Sequence, residues 1–340
     1  MAELVSVDEI RAAARRIAGV AVRTPLVPFL ATPWLLIKPE SLQPTGAFKL
    51  RGAYNAIRAL AEDQATRPNG VVAHSSGNHG FAVAYAAALL KLPAAIVVPK
   101  SAAKVKTDAI AAAGAELVYV EPTLSARVEA MEHIARTRGY ATVAPFDDRQ
   151  VIAGQGTIGL EIADDLAGRA GRPASAVVVP VGGGGLISGI GVAVKALMPE
   201  TMVIGVEPEF AADARESLRK GTRVAWPAAD TARTRADALR VEQVGELTFP
   251  HIREFVDDIV TVTEDEILLA IRRLALEARL VAEPGGAVAV AACLFRSAAE
   301  LGLTGGDGDG AQVVAVLSGG NIDRALLAGV LAAEPGSYTK

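Results

Sequence analysis

Gly182, Gly183, Gly184 and Gly185 directly follow the apolar run AVVVPV and open a segment with the apolar spacing of a helix. Consecutive backbone N–H groups at the positive end of a helix can hold a phosphate, so a phosphorylated ligand is expected there. The rival reading is a tight strand-to-helix turn, which would need only one or two glycines. The dinucleotide pattern G-x-G-x-x-G fails because its last position falls on Ile187 or Ser188, and the nucleotide P-loop fails because no Lys-Ser/Thr pair follows Gly189. Lys49, in TGAFK at an expected helix start, stands where the helix dipole disfavours an ammonium and favours an amine able to attack an aldehyde. In isolation such a lysine reads as a solvated surface residue. Glu207 ends the run VIGVE and is followed by Ala211 and Asp213. Two carboxylates and a carbonyl are hard oxygen ligands suited to Mg²⁺, Mn²⁺ or Ca²⁺, although spacing alone reads as a capped helix.

The elements that must position these groups alternate. Ser6 with Glu9 makes a capping box for an amphipathic helix, and a short strand follows at Leu35–Lys38. Helices over 48–61, 80–90, 104–113 and 125–138 then alternate with strands over 70–74, 94–98, 116–120 and 140–144. A second alternation has helices over 156–167, 186–197 and about 211–220, with strands over 176–180 and 202–207. Strands separated by helices of this length imply parallel pairing with crossover connections, hence two open α/β lobes. The chain turns polar and irregular over 221–249. A strand over 259–262, a helix capped by Thr263 and Glu266, a strand over 312–317 and a last helix complete it, with 302–310 (GLTGGDGDG) as a surface loop.

Composition bounds the function. With 340 residues, 51% hydrophobic and only 4% aromatic, the chain reads as an Ala/Val/Leu-rich α/β enzyme large enough for two lobes. A net charge of -4 with dispersed basic residues gives no footprint for nucleic acid. Cys293 is the single cysteine, which excludes an intramolecular disulfide and a cysteine zinc site; set in GAVAVAACLF, it reads as a buried hydrophobe. No run approaches the roughly 18 apolar residues of a membrane span, and the N-terminus lacks the pattern of a cleaved leader, so a soluble cytoplasmic protein is expected.

Four ordered segments carry more than any one residue: KPESLQPTGAFKLRGA from Lys38 to Ala53, SSGNHG from Ser75 to Gly80, GGGGL from Gly182 to Leu186, and SGGN from Ser318 to Asn321. Together with VIAGQGTIGLEI from Val151 and VDDIVTVTEDEI from Val256, they cover most of the chain between Thr24 and Asp323. The sequence resembles the fold type II pyridoxal-phosphate enzymes (tryptophan synthase β-like), in the branch of serine/threonine ammonia-lyases and serine racemase. That resemblance implies a large cofactor-binding domain of residues 1–47 and 148–340, a small domain of residues 48–147 closing over an amino-acid substrate, and a homodimer.

The resemblance also implies roles. Lys49 carries pyridoxal phosphate and afterwards acts as the base at Cα; Phe48 packs on the cofactor ring, Asn78 bonds its hydroxyl, and Gly182–Gly185 bind its phosphate. Ser318 faces the ring nitrogen. A hydroxyl does not hold that nitrogen protonated, so the ring is a weaker electron sink and elimination of a β-hydroxyl is favoured. Ser75, Ser76, Gly77 and His79 receive the substrate carboxylate, Arg127 approaches it, and Glu207, Ala211 and Asp213 match a cation site. The implied activity is a threonine or serine dehydratase, releasing a 2-oxo acid and ammonia. Racemisation with Ser76 as the second-face acid/base is the alternative, as is another substrate such as 3-hydroxyaspartate. A non-catalytic or nicotinamide-binding protein on a related fold is the remaining rival. Phe81, Ala47, Ala238 and the Glu283–Ala287 segment depart from the family pattern, and Phe81 with Ala238 point to altered surroundings of the substrate carboxylate.

Overall fold

The computed structural model describes residues 3–62, 67–168, 174–303 and 312–333. Its strands are β1 (Val27–Pro28), β2 (Leu35–Pro39), β3 (Gly70–His74), β4 (Ala94–Pro99), β5 (Glu116–Val120), β6 (Tyr140–Thr142), β7 (Ala176–Pro180), β8 (Met202–Pro208), β9 (Asp258–Val262) and β10 (Val313–Leu317). They form a six-stranded sheet in the order β1-β2-β10-β7-β8-β9 and a four-stranded sheet in the order β5-β4-β3-β6. Every pairing is parallel except β1 with β2. Parallel strands covered by helices on both faces must be apolar throughout. Accordingly β7 (AVVVP) and β10 (VVAVL) are buried at every position, whereas the edge strand β5 exposes Glu116 and Tyr119.

In open parallel sheets, ligands gather beyond the carboxyl ends of the strands. Here Ser318 follows β10, Gly182 follows β7 and Ser75 follows β3, so both sheets turn that edge toward one cavity. The helix after the glycine run, Gly185–Leu197, packs against helix Arg149–Ala167 with backbones nearly touching. A Cβ on Gly189 would lie 2.2 Å from the Ile152 carbonyl oxygen and 2.5 Å from the Gly156 nitrogen, so only glycine permits this approach.

Both expected capping boxes are present, Ser6 with Glu9 and Thr263 with Glu266. Three elements differ from the sequence reading. The helix expected from Gly156 begins at Arg149, because the Asp148 carboxylate accepts the Val151 amide and caps it there. The polar stretch after Gly221 contains a short helix, Ala228–Thr231, and a 3₁₀ turn, Asp237–Leu239, and it leads into helix Thr248–Phe255. The segment around Cys293 is a helix, Pro284–Phe295, almost wholly buried, with a proline in its first turn. Of the expected loop 302–310, all beyond Leu303 lies outside the described residues. Among the described residues no helix is long and apolar enough to cross a membrane.

A buried charge network fixes the start of helix Lys49–Glu62. Arg51 Nε and Nη2 donate to Glu40 at 2.7 and 2.9 Å, and Nη1 and Nη2 donate to Glu161 at 2.6 and 2.9 Å. Lys38 Nζ joins Glu161 at 2.7 Å, and Thr24 Oγ1 donates to Glu40 at 2.7 Å. Burial would push the Glu40 carboxyl up, but the Arg51 charge and hydrogen bonds, with Lys38 and Thr24, hold it below its ordinary value.

Candidate active site

Lys49 is the first residue of its helix, and its chain segment is stitched to the end of β10: the Phe48 amide donates to the Ser318 carbonyl at 3.0 Å and Ala47 bridges Gly319. Its Nζ reaches into a cavity of about 310 Å³, donates to the Pro145 carbonyl at 2.6 Å and lies 5.0 Å from the centre of the Phe48 ring. Burial pushes the Lys49 ammonium down to about 8. Within a unit of neutrality, a useful fraction of this amine is unprotonated and nucleophilic.

The loop after β3 supplies the facing wall. Helix Asn78–Leu89 begins here, so its first amides lack intrahelical acceptors. Ser75 Oγ accepts the Gly77 amide at 3.2 Å, and Ser75, Ser76 and Gly77 line the cavity. His79 is 5% exposed, with Nε2 2.9 Å from the Val143 carbonyl. Burial and then the Lys49 charge push it down to about 3, so the imidazole is neutral and directs Nε2–H at that carbonyl. What His79 can offer a carboxylate is its backbone amide. Asn78 Nδ2 donates to Glu283 Oε1 at 2.6 Å, while Asn78 Oδ1 accepts from Asn321 Nδ2 at 2.8 Å. Burial pushes the Glu283 carboxyl up to about 7 against the opposing Asn78 hydrogen bond.

On the other wall, Gly182–Gly185 present backbone to the cavity. Gly184 has φ +92°, and a Cβ on Gly183 would lie 2.3 Å from the Phe146 ring, so side chains have no room. Ser318 is 5% exposed, lines the cavity, and its Oγ donates to the Gly285 carbonyl at 3.4 Å. Arg127, on helix Leu124–Arg138, also lines the cavity. Its Nε donates to the Thr123 carbonyl at 3.3 Å, and it has no carboxylate partner among the described residues. The structure therefore brings Phe48, Lys49, Ser75–His79, Arg127, Gly182–Gly185 and Ser318 to one cavity.

Glu207, Ala211 and Asp213 lie elsewhere, at the end of β8 and the start of helix Asp213–Lys220. Glu207 is fully buried and accepts the amides of Ala214 at 2.9 Å and Arg215 at 2.8 Å. Asp213 Oδ2 is buried with no hydrogen-bond partner among the described residues. Burial raises both carboxyls, and the Asp213 charge raises Glu207 further.

Sequence reasoning missed several cavity residues, among them Lys106, Asp237, Phe146 and the role of Glu283. Lys106 and Asp237 form a 2.6 Å ion pair between helix Lys104–Ala112 and the 3₁₀ turn, and both line the cavity. Phe146 backs the glycine loop. Glu283 was noted only within a segment that departs from the family pattern, and an acid before a proline, a frequent helix start, signals nothing about a cavity.

The model of the family described as pyridoxal-phosphate dependent enzyme matches residues 17–319. The chain belongs to this family. It is 41% identical over 325 residues to an L-threonine ammonia-lyase of Thermotoga maritima, covering 94% of this chain and 76% of that protein. It is 40% identical over 289 residues to a serine racemase of Arabidopsis thaliana, covering 85% and 83%. The solved structure of maize serine racemase superposes with a TM-score of 0.87 at 33% identity, over 96% of this chain and 97% of that one. The α/β architecture with mostly parallel sheets is that of these fold type II enzymes. The cavity fits the family's cofactor: a lysine amine made less basic by burial faces a loop of backbone amides that no side chain obstructs.

Proposed function

We propose that this pyridoxal-phosphate-dependent enzyme is an ammonia-lyase that converts L-threonine or L-serine to a 2-oxo acid and ammonia. The observation that carries the reading is the meeting of the Lys49 amine, the glycine loop and the Ser75–His79 loop in one cavity. When bound, pyridoxal phosphate supplies an aldehyde for amines to condense with and an electron-withdrawing ring that acidifies Cα. Lys49 would hold the cofactor through its amine, and that amine, when free, would be the base for the Cα proton. Gly182–Gly185 would hold the phosphate, Phe48 would pack on the ring, Asn78 would bond the ring hydroxyl and Ser318 would face the ring nitrogen. Ser75, Ser76, Gly77 and the His79 amide orient the substrate carboxylate with help from Arg127. Loss of the β-hydroxyl and hydrolysis of the released enamine complete the reaction.

Racemisation is the second reading, favoured by Ser76, a hydroxyl-bearing residue, lining the cavity. A substrate with a second carboxylate, such as 3-hydroxyaspartate, is favoured by Arg127 having no carboxylate partner among the described residues. A substrate panel scored for both 2-oxo acid and D-amino acid decides among the three, with Ser76→Ala beside wild type. Elimination from L-threonine or L-serine that survives in Ser76→Ala is expected; dominant D-isomer formation lost in that variant would replace the lyase reading.

The same reading assigns residues 1–47 and 148–340 to a cofactor-binding domain and 48–147 to a small domain, in a cytoplasmic homodimer. Glu207, the Ala211 carbonyl and Asp213 would hold Mg²⁺, Mn²⁺ or Ca²⁺, supported by the orphaned Asp213 oxygen beside a second buried carboxylate. Chelation is expected to lower the melting temperature of wild type and to leave Asp213→Ala unaffected, since only binding to the folded state stabilises it. Equal responses would remove the cation from this account.

A further inference from the structure

Four glycines in a row impose no conformation of their own, because glycine populates both halves of backbone space. The shape of Gly182–Gly185 must therefore be imposed from outside, and the structure shows by what. The Gly183 carbonyl oxygen accepts two hydrogen bonds, from Thr248 Oγ1 at 2.7 Å and from the Gly245 amide at 3.3 Å. In a trans peptide the carbonyl and the following N–H point in opposite directions. Tying the Gly183 oxygen down toward Thr248, which does not line the cavity, therefore turns the Gly184 N–H to the other side of the loop. Thr248 also packs directly under the left-handed turn, since a Cβ on Gly184 would lie 2.8 Å from its Oγ1.

Thr248 is itself pinned. The Asp147 carboxylate accepts the amides of Glu246 at 3.0 Å, Leu247 at 2.8 Å and Thr248 at 3.2 Å, which fixes the start of helix Thr248–Phe255. Ser188, on the helix that the glycine loop opens, donates its Oγ to the Thr248 carbonyl at 3.3 Å and closes the ring. The two residues before Asp147 touch the rest of the site, with the Phe146 ring against Gly183 and the Pro145 carbonyl on Lys49 Nζ.

We propose that Thr248 and Asp147 are positioning residues that set the glycine loop in its anion-receiving conformation, so that cofactor grip depends on two side chains outside the cavity. The inference rests on the reading of Gly182–Gly185 as the phosphate site. Its test is the affinity for pyridoxal phosphate of apoenzyme prepared from the holoenzyme, together with the ³¹P resonance of the bound cofactor. Thr248→Val keeps the side-chain shape without the donor, and losing one hydrogen bond that selects a conformation should weaken cofactor binding about fivefold to tenfold. The ³¹P resonance should move with it. Thr248→Ser restores the hydroxyl and should restore both readouts, which a merely structural role would not require. If Thr248→Val does not fold, Asp147→Asn carries the test, with weakened binding and a moved resonance expected. Wild-type affinity in either folded variant would overturn the proposal. Failure of the wild-type protein to bind pyridoxal phosphate would instead overturn the phosphate-site reading, so the two failures are distinguishable.

Discussion

Among the ion pairs that join the four-stranded sheet unit to the six-stranded one, two sets near the cavity are built differently. Behind Lys49, Arg51 and Glu40 are both 0% exposed and share their charge with Glu161 and Lys38. Beside the cavity, Lys106 and Asp237 meet alone, with side chains 38% and 43% exposed. A buried, multiply bonded network leaves unpaired charge in the interior when it breaks, whereas an exposed pair exchanges its partner for water at little cost. The contrast marks the Arg51 end as the more firmly tied, fixed end and the Lys106 end as the weaker one. Lys49, the proposed base at Cα, begins its helix near that fixed end.

The largest effect expected from breaking this contrast is at Arg51. Arg51→Met strands Glu40 and leaves Glu161 with Lys38 alone, and a stability loss of about 3–5 kcal/mol is expected by denaturant unfolding. A loss below about 1 kcal/mol would show that the network is not the fixed end.

Next comes the acid limb of stability. The Glu40 carboxyl is held below its ordinary value in the folded state, so it contributes stability that is present above about pH 4.5 and lost as the pH falls through the folded value. Glu40→Gln should be less stable at neutral pH and lose less than wild type on acidification below pH 4.5. Parallel curves for the two proteins would mean that Glu40 does not carry this dependence.

The smallest effect is at the cavity pair. Lys106→Ala and Asp237→Ala should each change stability by under about 1 kcal/mol, with a coupling between them that vanishes in high salt. A salt-independent coupling as large as the Arg51 effect would erase the distinction between the two ends.

How much of this was legible in the sequence follows from how local each signal is. Lys49 and Gly182–Gly185, which the structure brings to one cavity, could be singled out as candidates because the chemistry proposed for them depends on residue type within a few positions of one strand or helix end. The alternation of strands and helices was readable for the same reason. Helix Pro284–Phe295 was not, since it is buried on all sides and carries no amphipathic period. Lys106 with Asp237, Asp147 with Thr248 and Asn78 with Glu283 were also invisible: each pair is assembled by the fold from distant segments, and neither partner is unusual alone. His79 was read as a substrate-binding residue from its place in a loop of hydroxyl and amide donors, but which group its ring faces depended on where β6 delivers Val143.

The central claim is that Lys49, and no other lysine, holds the cofactor. Borohydride reduction of the holoenzyme fixes pyridoxal phosphate to the amine that bears it, and peptide mass spectrometry then locates the adduct. The expected result is a single adduct on the peptide containing Lys49, with none in Lys49→Ala and loss of turnover in that variant. An adduct on Lys38, Lys106 or any other lysine, or full turnover by Lys49→Ala, would contradict the account.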